Sequence, residues 1–317
     1  MPIFTAPVVP QAVLDASEPN AIFILATVDE GGEGRARSLL PKLPALVRAV
    51  RSRASGSRLS CVVGIGSAAW DRLFTGPRPA ELHVFRELAG QGGRAVSTPA
   101  DLLFHIRATS HDLCFQLVGE IMKGLRAAAT VRDEVVGFEY FGERNLLGFV
   151  DGTENPTGRA ASEAVLVGRE DQQYAGGTYV VIQKYLHDLT AWNTLTVEQQ
   201  QRVIGRTRTD NIELDDELQA SDSHVVLNKV VGSDGAEQQI LRRNMPFGNA
   251  ARGEYGTYFI GFARTPTVIE QMLRNMFLGT PTASYDKILD YSQAVTGALF
   301  FAPSNTFLDE LEKTSTG

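Results

Sequence analysis

The stretch Gly148-Phe149-Val150-Asp151-Gly152-Thr153-Glu154-Asn155-Pro156 lies near the middle of the 317-residue chain. An apolar lead-in runs directly into the carboxylate of Asp151, and turn-forming residues follow it. Gly152 permits backbone angles that other residues avoid, and Pro156 forbids the continuation of a strand. An isolated Asp-Gly pair indicates only a turn between two elements. Here the stretch predicts an acid held by a stiff turn at the edge of the hydrophobic interior.

This stretch also divides the chain into two halves with the same rhythm of strands and helices, residues 1–147 and 148–317. Strands are predicted at residues 21–28, 59–65, 82–87, 102–108, 135–141, 178–186, 255–263 and 299–301. Helices are predicted at residues 37–53, 68–74, 110–127, 196–204 and 267–277. Several strands alternate apolar and polar residues, which favours antiparallel sheets covered by helices on one face. The predicted fold class is α+β, with two ferredoxin-like domains divided at 147/148.

Composition and charge are those of an ordinary globular protein, with 43% hydrophobic and 21% charged residues. The net charge of -7 and the lack of a long basic block argue against nucleic acid or an anionic membrane as the main partner. No apolar run approaches the ~18 residues of a membrane span, and no leader pattern is seen. We therefore expect a cytoplasmic protein.

Five histidines occur, and one of them has unusual surroundings. His224 lies where the polar run Ala220-Ser221-Asp222-Ser223 is expected to enter an apolar strand, so that its imidazole projects from a fixed backbone. His105, by contrast, lies within an apolar strand and is interpreted as a satisfied core residue. No histidine pair has the i, i+4 spacing of a helical zinc site.

A third polar group follows His224, in Ile240-Leu241-Arg242-Arg243-Asn244-Met245-Pro246-Phe247-Gly248. The pattern predicts Arg242 and Asn244 before a proline-containing turn, beside an apolar run. An acid, a single imidazole, a guanidinium and an amide are thus all predicted at junctions between strands and turns. This combination suits a haem site with one protein ligand and a polar pocket on the opposite face.

These segments in this order resemble the dye-decolourising haem peroxidases, most closely their small bacterial B-type group. The resemblance rests on Gly148–Pro156, Ser223-His224 and Ile240–Gly248. Three further kinds of segment support it: an aromatic segment before the turn, a Gly-Arg segment, and the strands and loops of the C-terminal part. They are Phe138-Glu139-Tyr140-Phe141-Gly142, Val203-Ile204-Gly205-Arg206, Tyr258–Arg264, Tyr285–Asp290 and Gly297–Pro303.

The resemblance implies a dimeric α+β barrel type of fold with haem b held mainly by the C-terminal domain. It also implies reduction of hydrogen peroxide through a ferryl intermediate and oxidation of dyes, phenols or other one-electron donors. His224 would be the iron ligand, and a carboxylate on its other ring nitrogen would make it more electron-donating. Asp286 is the expected partner, with Asp222 and Asp290 as rivals.

On the opposite face of the haem, the resemblance implies that Asp151 transfers a proton between the two oxygen atoms of peroxide. Arg242 would favour the ionised carboxylate and stabilise the charge that develops during O–O cleavage. Asn244 would hold the peroxide or a water. The sequence does not decide whether Asp151 or Arg242 matters more.

The edge of the haem has further candidates. Arg206 is expected to pair with a haem propionate, with Arg208 as the alternative. Seven apolar residues either line the haem or simply pack in the core: Ile240, Met245, Phe247, Phe259, Phe262, Met272 and Phe277. Bulky reductants would be oxidised through a surface aromatic residue, for which Trp192, Tyr174 and Tyr185 are the candidates.

Two alternative functions remain at this point. Haem carriage or iron release would use His224 but not the pair of Asp151 and Arg242. A nicotinamide-dependent enzyme is suggested by Gly64-Ile65-Gly66-Ser67-Ala68-Ala69, which fits the G-x-G-x-x-A dinucleotide pattern. The resemblance further suggests a homo-oligomer. The tail from Leu308 is expected to be frayed, and it carries no apolar tag for packaging in a protein compartment.

Overall fold

The computed structural model describes residues 7–315, with the side chains of 312–315 left aside. The strands are β1 Asn20–Val28, β2 Leu59–Gly66, β3 Leu88–Gly90, β4 Gly93–Ala95, β5 Leu102–Ala108, β6 Ala129–Phe138, β7 Thr178–His187, β8 Leu241–Arg242, β9 Met245–Asn249, β10 Glu254–Ala263, β11 Ser292–Ala294 and β12 Ala298–Ala302. The helices are α1 Glu33–Leu39, α2 Leu43–Arg51, α3 Ser67–Leu73, α4 His111–Leu125, α5 Gly158–Val165, α6 Leu189–Trp192, α7 Val197–Ile204, α8 His224–Leu227, α9 Pro266–Leu278 and α10 Asn305–Ser315.

One antiparallel sheet runs through both halves in the order β6-β1-β5-β2-β12-β7-β10-β8. Each half contributes four strands to this order, and in each the spatial order is fourth, first, third, second; β9 and β11 of the second half pair with β10 and β7 beside it. Helices connect the first strand to the second and the third to the fourth. This is the ferredoxin-like arrangement that the sequence predicted, twice over. The two copies join where β12 pairs with β2, at Phe300 with Gly66 and at Phe301 with Ile65.

The sheet curls so that its inner face becomes an enclosed core. Phe23 of β1 stacks on Tyr258 of β10 with ring centroids 4.0 Å apart, although four strands separate β1 from β10. At the two ends of the sheet, a side chain on Gly137 of β6 would meet Met245 of β9 at 2.6 Å, so glycine permits this close approach. A second, larger core lies between the outer face of the sheet and the helices.

The predicted boundary at 147/148 lies in the long connection between β6 and α5. Because the two halves share one sheet, the structure does not by itself divide the chain there. The division into two domains at that residue stays a prediction.

Some predicted elements were wrong. Residues 82–87 form no strand, and a short hairpin of β3 and β4 follows them instead. The helix predicted at residues 37–53 is split into α1 and α2 by a 3₁₀ turn at Leu40–Lys42, where prolines occupy both helix starts. The tail predicted to fray from Leu308 is helix α10, with Leu308 buried; residues 316–317 lie outside the described part.

The nicotinamide alternative has no support in this fold. The strand before Gly64 and Gly66 is β2, which is antiparallel to both of its neighbours, whereas the dinucleotide motif needs a parallel βαβ unit. The two glycines have packing reasons instead. A side chain on Gly66 would meet the Ala100 carbonyl oxygen at 2.3 Å, and one on Gly64 would meet Phe300 at 2.8 Å.

His105 was also misjudged. It is fully buried on the inner face of β5, but neither ring nitrogen has a hydrogen-bond partner among residues 7–311. Its ring lies between Phe23, at 4.8 Å, and Phe262, at 6.0 Å. Burial holds the pKa of His105 well below its ordinary value. The imidazole is therefore a neutral ring in an aromatic stack rather than a satisfied polar group.

In the described part of the chain, no helix has both the length and the apolar character that a membrane span requires.

Candidate active site

A large cavity lies on the outer face of the C-terminal half, between β7, β10 and helix α9. Its empty volume is about 1430 Å³, including the part open to solvent. The walls are mostly apolar. The stretch from Phe149 to Glu154 forms one side, His224 another, and Arg242 and Asn244 a third. The three segments singled out in the sequence therefore meet around one space.

His224 is the first residue of α8 and is not in a strand as predicted. Its Nδ1 atom lies 2.7 Å from Oδ2 of the fully buried Asp286, whose Oδ1 accepts a hydrogen bond from the Ile288 N–H. Burial acts to lower the pKa of His224, but the ion pair and hydrogen bond with Asp286 outweigh it and the pKa is raised. The side chain is 37% exposed because it faces the cavity.

Asp286 is thus the carboxylate that contacts the imidazole. Neither rival carboxylate contacts the imidazole in the described part of the chain. Asp290 accepts a hydrogen bond from the Tyr285 hydroxyl, and Asp222 contributes its backbone carbonyl to the Lys287 N–H. With Nδ1 taken by Asp286, the other nitrogen, Nε2, is the one available to a ligand. No hydrogen bond from the described residues reaches it.

The carboxylate of Asp151 is oriented by Asn244. The amide of Asn244 donates from Nδ2 to Asp151 Oδ1 at 3.0 Å. Its Oδ1 accepts from the Ile260 N–H at 3.2 Å, which fixes the direction of the amide. The donating side of the Asn244 amide therefore faces the Asp151 carboxylate.

Asn155 ties the acid turn to the arginine segment, a role that the sequence did not reveal. Its Oδ1 accepts from the Arg242 N–H at 2.8 Å, and its Nδ2 donates to the Arg242 carbonyl at 2.9 Å. Gly152 has φ +73°, and a side chain there would lie 2.8 Å from Asn155 Nδ2. Glycine is therefore required at 152 for both its backbone angle and its lack of a side chain.

The sequence predicted a proline-containing turn after Asn244, but Met245–Asn249 is strand β9. Pro246 is tolerated there opposite Thr257 of β10. Arg242 is in β8 and pairs with Gly261, so it is held by a strand on one side and by Asn155 on the other. The backbone of Arg242 is therefore fixed, which limits the positions that its guanidinium can take.

The Arg242 guanidinium lines the cavity, and its Nη2 lies 3.8 Å from the Met272 sulfur. Burial lowers the pKa of Arg242, and the negative charge of Asp151 is the largest influence opposing that shift. Arg242 forms no ion pair with Asp151 in the described structure. Asp151 therefore acts on Arg242 through its charge and not through a direct ion pair.

At the mouth, Arg206 lines the cavity and pairs with Glu154 and Glu213. Glu154, which follows Asp151 by three residues, thus anchors an arginine. Arg208 does not line the cavity: it packs over Gly148 and donates to Gln200 at 2.9 Å. The geometry therefore brings Arg206, and not Arg208, to the site.

Three of the seven apolar candidates line the cavity, namely Ile240, Phe259 and Met272. The other four pack in the two cores; they are Met245, Phe247, Phe262 and Phe277. The aromatic residues expected at the surface, Trp192, Tyr174 and Tyr185, are all buried. Trp192 donates its N–H to the Leu147 carbonyl, and Tyr185 donates to Gln183 at the cavity wall.

A polar face on β7 was missed altogether. Gln183, Tyr185 and His187 alternate along the strand and line the inner wall of the cavity. His187 contacts Ser292 and Thr257 through its two ring nitrogens, at 2.8 and 2.9 Å. Burial lowers the pKa of His187 to about 4. The period-2 pattern of Gln183, Tyr185 and His187 was a usable signal for this wall.

Comparisons with known proteins agree with this geometry. The N-terminal domain of the Dyp-type peroxidases matches residues 10–139, and their C-terminal domain matches residues 142–307. A protein named dye-decolorizing peroxidase from Mycolicibacterium paratuberculosis is 55% identical over 97% of this chain and 87% of its own length.

Two solved structures are similar over nearly the whole chain. The encapsulated DyP-type peroxidase from Mycobacterium smegmatis has 53% identity and a TM-score of 0.94, covering 96% of this chain and 98% of that one. A variant of DypB from Rhodococcus jostii RHA1 in complex with heme has 50% identity and a TM-score of 0.92, covering 96% and 99%. The chain therefore belongs to the Dyp-type peroxidase family.

Proposed function

We propose that this protein is a haem peroxidase that reduces hydrogen peroxide and oxidises dyes, phenols or other one-electron donors. The observation that carries the proposal is the pairing of two groups around one cavity. His224 with Asp286 forms one group, and Asp151 with Asn244 and Arg242 forms the other. Haem carriage or iron release would need only the first group.

The residues present fit haem b. An imidazole whose Nδ1 is held by a buried carboxylate and whose Nε2 is available is a suitable single iron ligand. Among the described residues, no cluster of three or more His, Cys, Asp or Glu side chains would form an all-protein metal site. His224 would ligate the iron, Phe259 would contact the ring, and Arg206 would pair with a propionate. When bound, haem supplies the electron transfer to peroxide that no side chain here provides.

Asp151 would then transfer the proton of the substrate. It accepts a proton from one oxygen atom of hydrogen peroxide and donates it to the other, so that the departing oxygen leaves as water. Asn244 keeps the carboxylate in place through the 3.0 Å hydrogen bond. A proton shuttle must stay within hydrogen-bond reach of its substrate, which is what the stiff turn provides.

Arg242 would stabilise negative charge that develops as the O–O bond breaks. Arg242 is half-buried at the cavity wall, where a fixed positive charge acts more strongly than in bulk water. Because its backbone is bonded on both sides, little reorganisation is needed when the charge develops.

The optical spectrum of the purified protein, before and after one equivalent of hydrogen peroxide, tests the proposal. We expect a Soret band that changes rapidly on addition of peroxide and returns when a phenol is added. A Soret band that does not respond to peroxide would favour haem carriage. A colourless protein that takes up no haem would contradict both readings.

Single variants test the individual residues. Asp151→Ala and Arg242→Ala should each slow the reaction with peroxide while keeping the Soret band; we expect a loss of about 10²–10⁴-fold for a lost proton shuttle. The two can partly cover for each other, so the double variant is informative. Unchanged kinetics in both single variants would exclude the proposed roles.

The ligand assignment has its own test. His224→Ala should bind haem weakly or not at all, because His187, which also lines the cavity, has both ring nitrogens engaged by Ser292 and Thr257. Full haem retention in this variant would disprove the assignment of His224. Added imidazole should restore part of the binding, which distinguishes a lost ligand from a misfolded protein.

The assembly and location of the protein are further proposals. Family membership supports a homo-oligomer in the cytoplasm, which size-exclusion chromatography and fractionation would check. The related protein from Mycobacterium smegmatis is encapsulated.

A further inference from the structure

A second cavity lies on the opposite face of β7 from the candidate active site. Gln183, Tyr185 and His187 face the haem cavity, whereas Lys184 between them faces the second one. Strands β1 and β6 of the first half form its other side, and the loops at 98–100 and 295–296 close it. Its empty volume is about 930 Å³, including the part open to solvent. The two cavities are thus separated by the sheet.

Lys184 brings a largely buried positive charge to this cavity. Its side chain is only 18% exposed, yet its ammonium group makes no hydrogen bond with the described residues. The nearest carboxylate oxygen, Asp133 Oδ1, is 3.7 Å away, and Phe247 lies below the ammonium at 5.1 Å. An ammonium has three donors, so Lys184 has donors to offer a ligand.

Two hydroxyl groups add donors beside Lys184. Thr296 Oγ1 accepts from the Lys184 backbone N–H at 2.9 Å, and Thr27 Oγ1 accepts from Arg132 Nε at 3.0 Å. Each hydroxyl acts as an acceptor in these contacts, so its hydrogen remains available. Arg132 and Lys184 are positively charged and Asp133 is negatively charged, so the ionisable side chains that line the cavity carry a net charge of +1. The cavity is therefore suited to a small anion.

Asp133 differs from these donors because its carboxylate needs a hydrogen-bond donor from the ligand. Its Oδ2 atom is buried, whereas its Oδ1 atom, 3.7 Å from the Lys184 ammonium, accepts no hydrogen bond from the side chains of the described residues. A simple anion would leave this oxygen unpaired. A ligand that carries a hydroxyl next to its carboxylate would satisfy it.

We propose that the second cavity binds a small hydroxycarboxylate. Its carboxylate lies against Lys184, Thr27 and Thr296, and its hydroxyl donates to Asp133 Oδ1. Apolar side chains set the remaining walls and limit the size of the ligand; they are Leu25, Pro99, Ala100 and Val295. Because the donors come from both halves of the chain, the ligand would bridge the two halves. The site is independent of the peroxidase reaction.

The test is calorimetric titration of the haem-loaded protein with glycolate, acetate and glycolamide. Glycolate should bind at one saturable site. Acetate, which lacks the hydroxyl, should bind roughly tenfold more weakly, and uncharged glycolamide should not bind. The Soret band should not change during the titration, because a carboxylate that entered the haem cavity would alter it.

Variants locate the site. Lys184→Gln should abolish glycolate binding and Thr296→Val should weaken it, while Lys123→Gln, at an exposed lysine, should not affect it. Asp133→Asn should remove most of the preference for glycolate over acetate. Peroxidase activity in each variant shows that the haem site is intact.

Absence of saturable binding to the unmodified protein would overturn the proposal, as would equal glycolate affinity in Lys184→Gln. If Lys184→Gln fails to fold, Thr296→Val carries the test, and unchanged affinity there would likewise contradict the site.

Discussion

Asn155 acts on Arg242 as a neighbouring strand would, because one amide bonds both the N–H and the carbonyl of the same residue. Asn155→Asp keeps the acceptor for the Arg242 N–H but places a carboxylate oxygen against the Arg242 carbonyl. We expect a loss of about 1–3 kcal/mol in the free energy of unfolding. We also expect slower reaction with peroxide at temperatures where the variant is fully folded, because Asp151 and Arg242 lose their common support.

Asn145 provides a matched control for this change. Its Oδ1 accepts from the N–H groups of Leu147 and Phe149, so aspartate at 145 retains both contacts. Chemical denaturation should show a much smaller loss for Asn145→Asp than for Asn155→Asp. Equal losses in the two variants would mean that the donor of Asn155 contributes nothing.

The pair of His224 and Asp286 gives a second prediction at the scale of single residues. Asp286→Asn keeps an oxygen near Nδ1 but removes the negative charge from a fully buried position. Partners of metal ligands typically contribute about 10–100-fold to activity or affinity. We expect the rate of the reaction with peroxide to fall by a factor in that range. We also expect a higher Fe(III)/Fe(II) potential, because the anionic partner stabilises the more positive iron.

Asp222 and Asp290 are the controls here, since neither contacts the imidazole. Spectroelectrochemistry of Asp222→Asn and Asp290→Asn should give the potential of the unmodified protein. A shift with Asp290→Asn and none with Asp286→Asn would reverse the assignment.

At the scale of elements, the acid turn offers two glycines that differ in one respect. Gly152 and Gly158 both have positive φ, at +73° and +54°, but only at Gly152 would a side chain meet a neighbour, Asn155 at 2.8 Å. Both Gly→Ala variants should lose stability through backbone strain, about 1–3 kcal/mol. Only Gly152→Ala should also slow the peroxide reaction, because it pushes Asn155 away from Arg242. Stopped-flow kinetics measures this reaction, and equal slowing in the Gly152→Ala and Gly158→Ala variants would contradict the prediction.

The elements of the chain were predictable where the cause is local. The β-branched and apolar run of β7 and the Thr196 capping box of α7 specify a strand and a helix start within a few residues. Helix α8 has four residues, too few to show a helical period, so His224 was placed in a strand. The side chains that carry the chemistry of the site were recognisable by residue type and order. The contacts that hold those side chains in place were not.

Long-range contacts account for what the sequence concealed. Asn155 has the composition of a turn residue, and nothing near it in sequence announces a partner 87 residues away. Likewise, Pro246 indicates a turn by itself, yet it lies in a strand because β10 provides the pairing. Such features depend on the register between elements, which local propensity does not encode.

At the scale of the whole molecule, the two halves are held together by one sheet and by the core that the sheet encloses. Phe23 of the first half and Tyr258 and Phe262 of the second half contribute to this core, and His105 lies in the same stack. A titratable ring at this position links the integrity of the whole sheet to pH. Its two unpaired nitrogens also make the core less stable than an apolar one would be.

The sign of the pH effect follows from the lowered pKa of His105. In the unfolded chain a histidine takes up a proton below about pH 6.5, whereas buried His105 stays neutral to well below that pH. The unfolded state is therefore favoured as the pH falls below about 6.5, by up to about 1.4 kcal/mol per pH unit.

His105→Phe should remove this contribution while keeping a ring between Phe23 and Phe262. We expect its free energy of unfolding to fall less steeply than that of the unmodified protein between about pH 6.5 and 5. His111→Gln, at an exposed histidine, should leave the slope unchanged. Urea denaturation at several pH values measures both slopes. If His105→Phe loses stability with falling pH as steeply as the unmodified protein, the buried ring is not what limits the fold in acid.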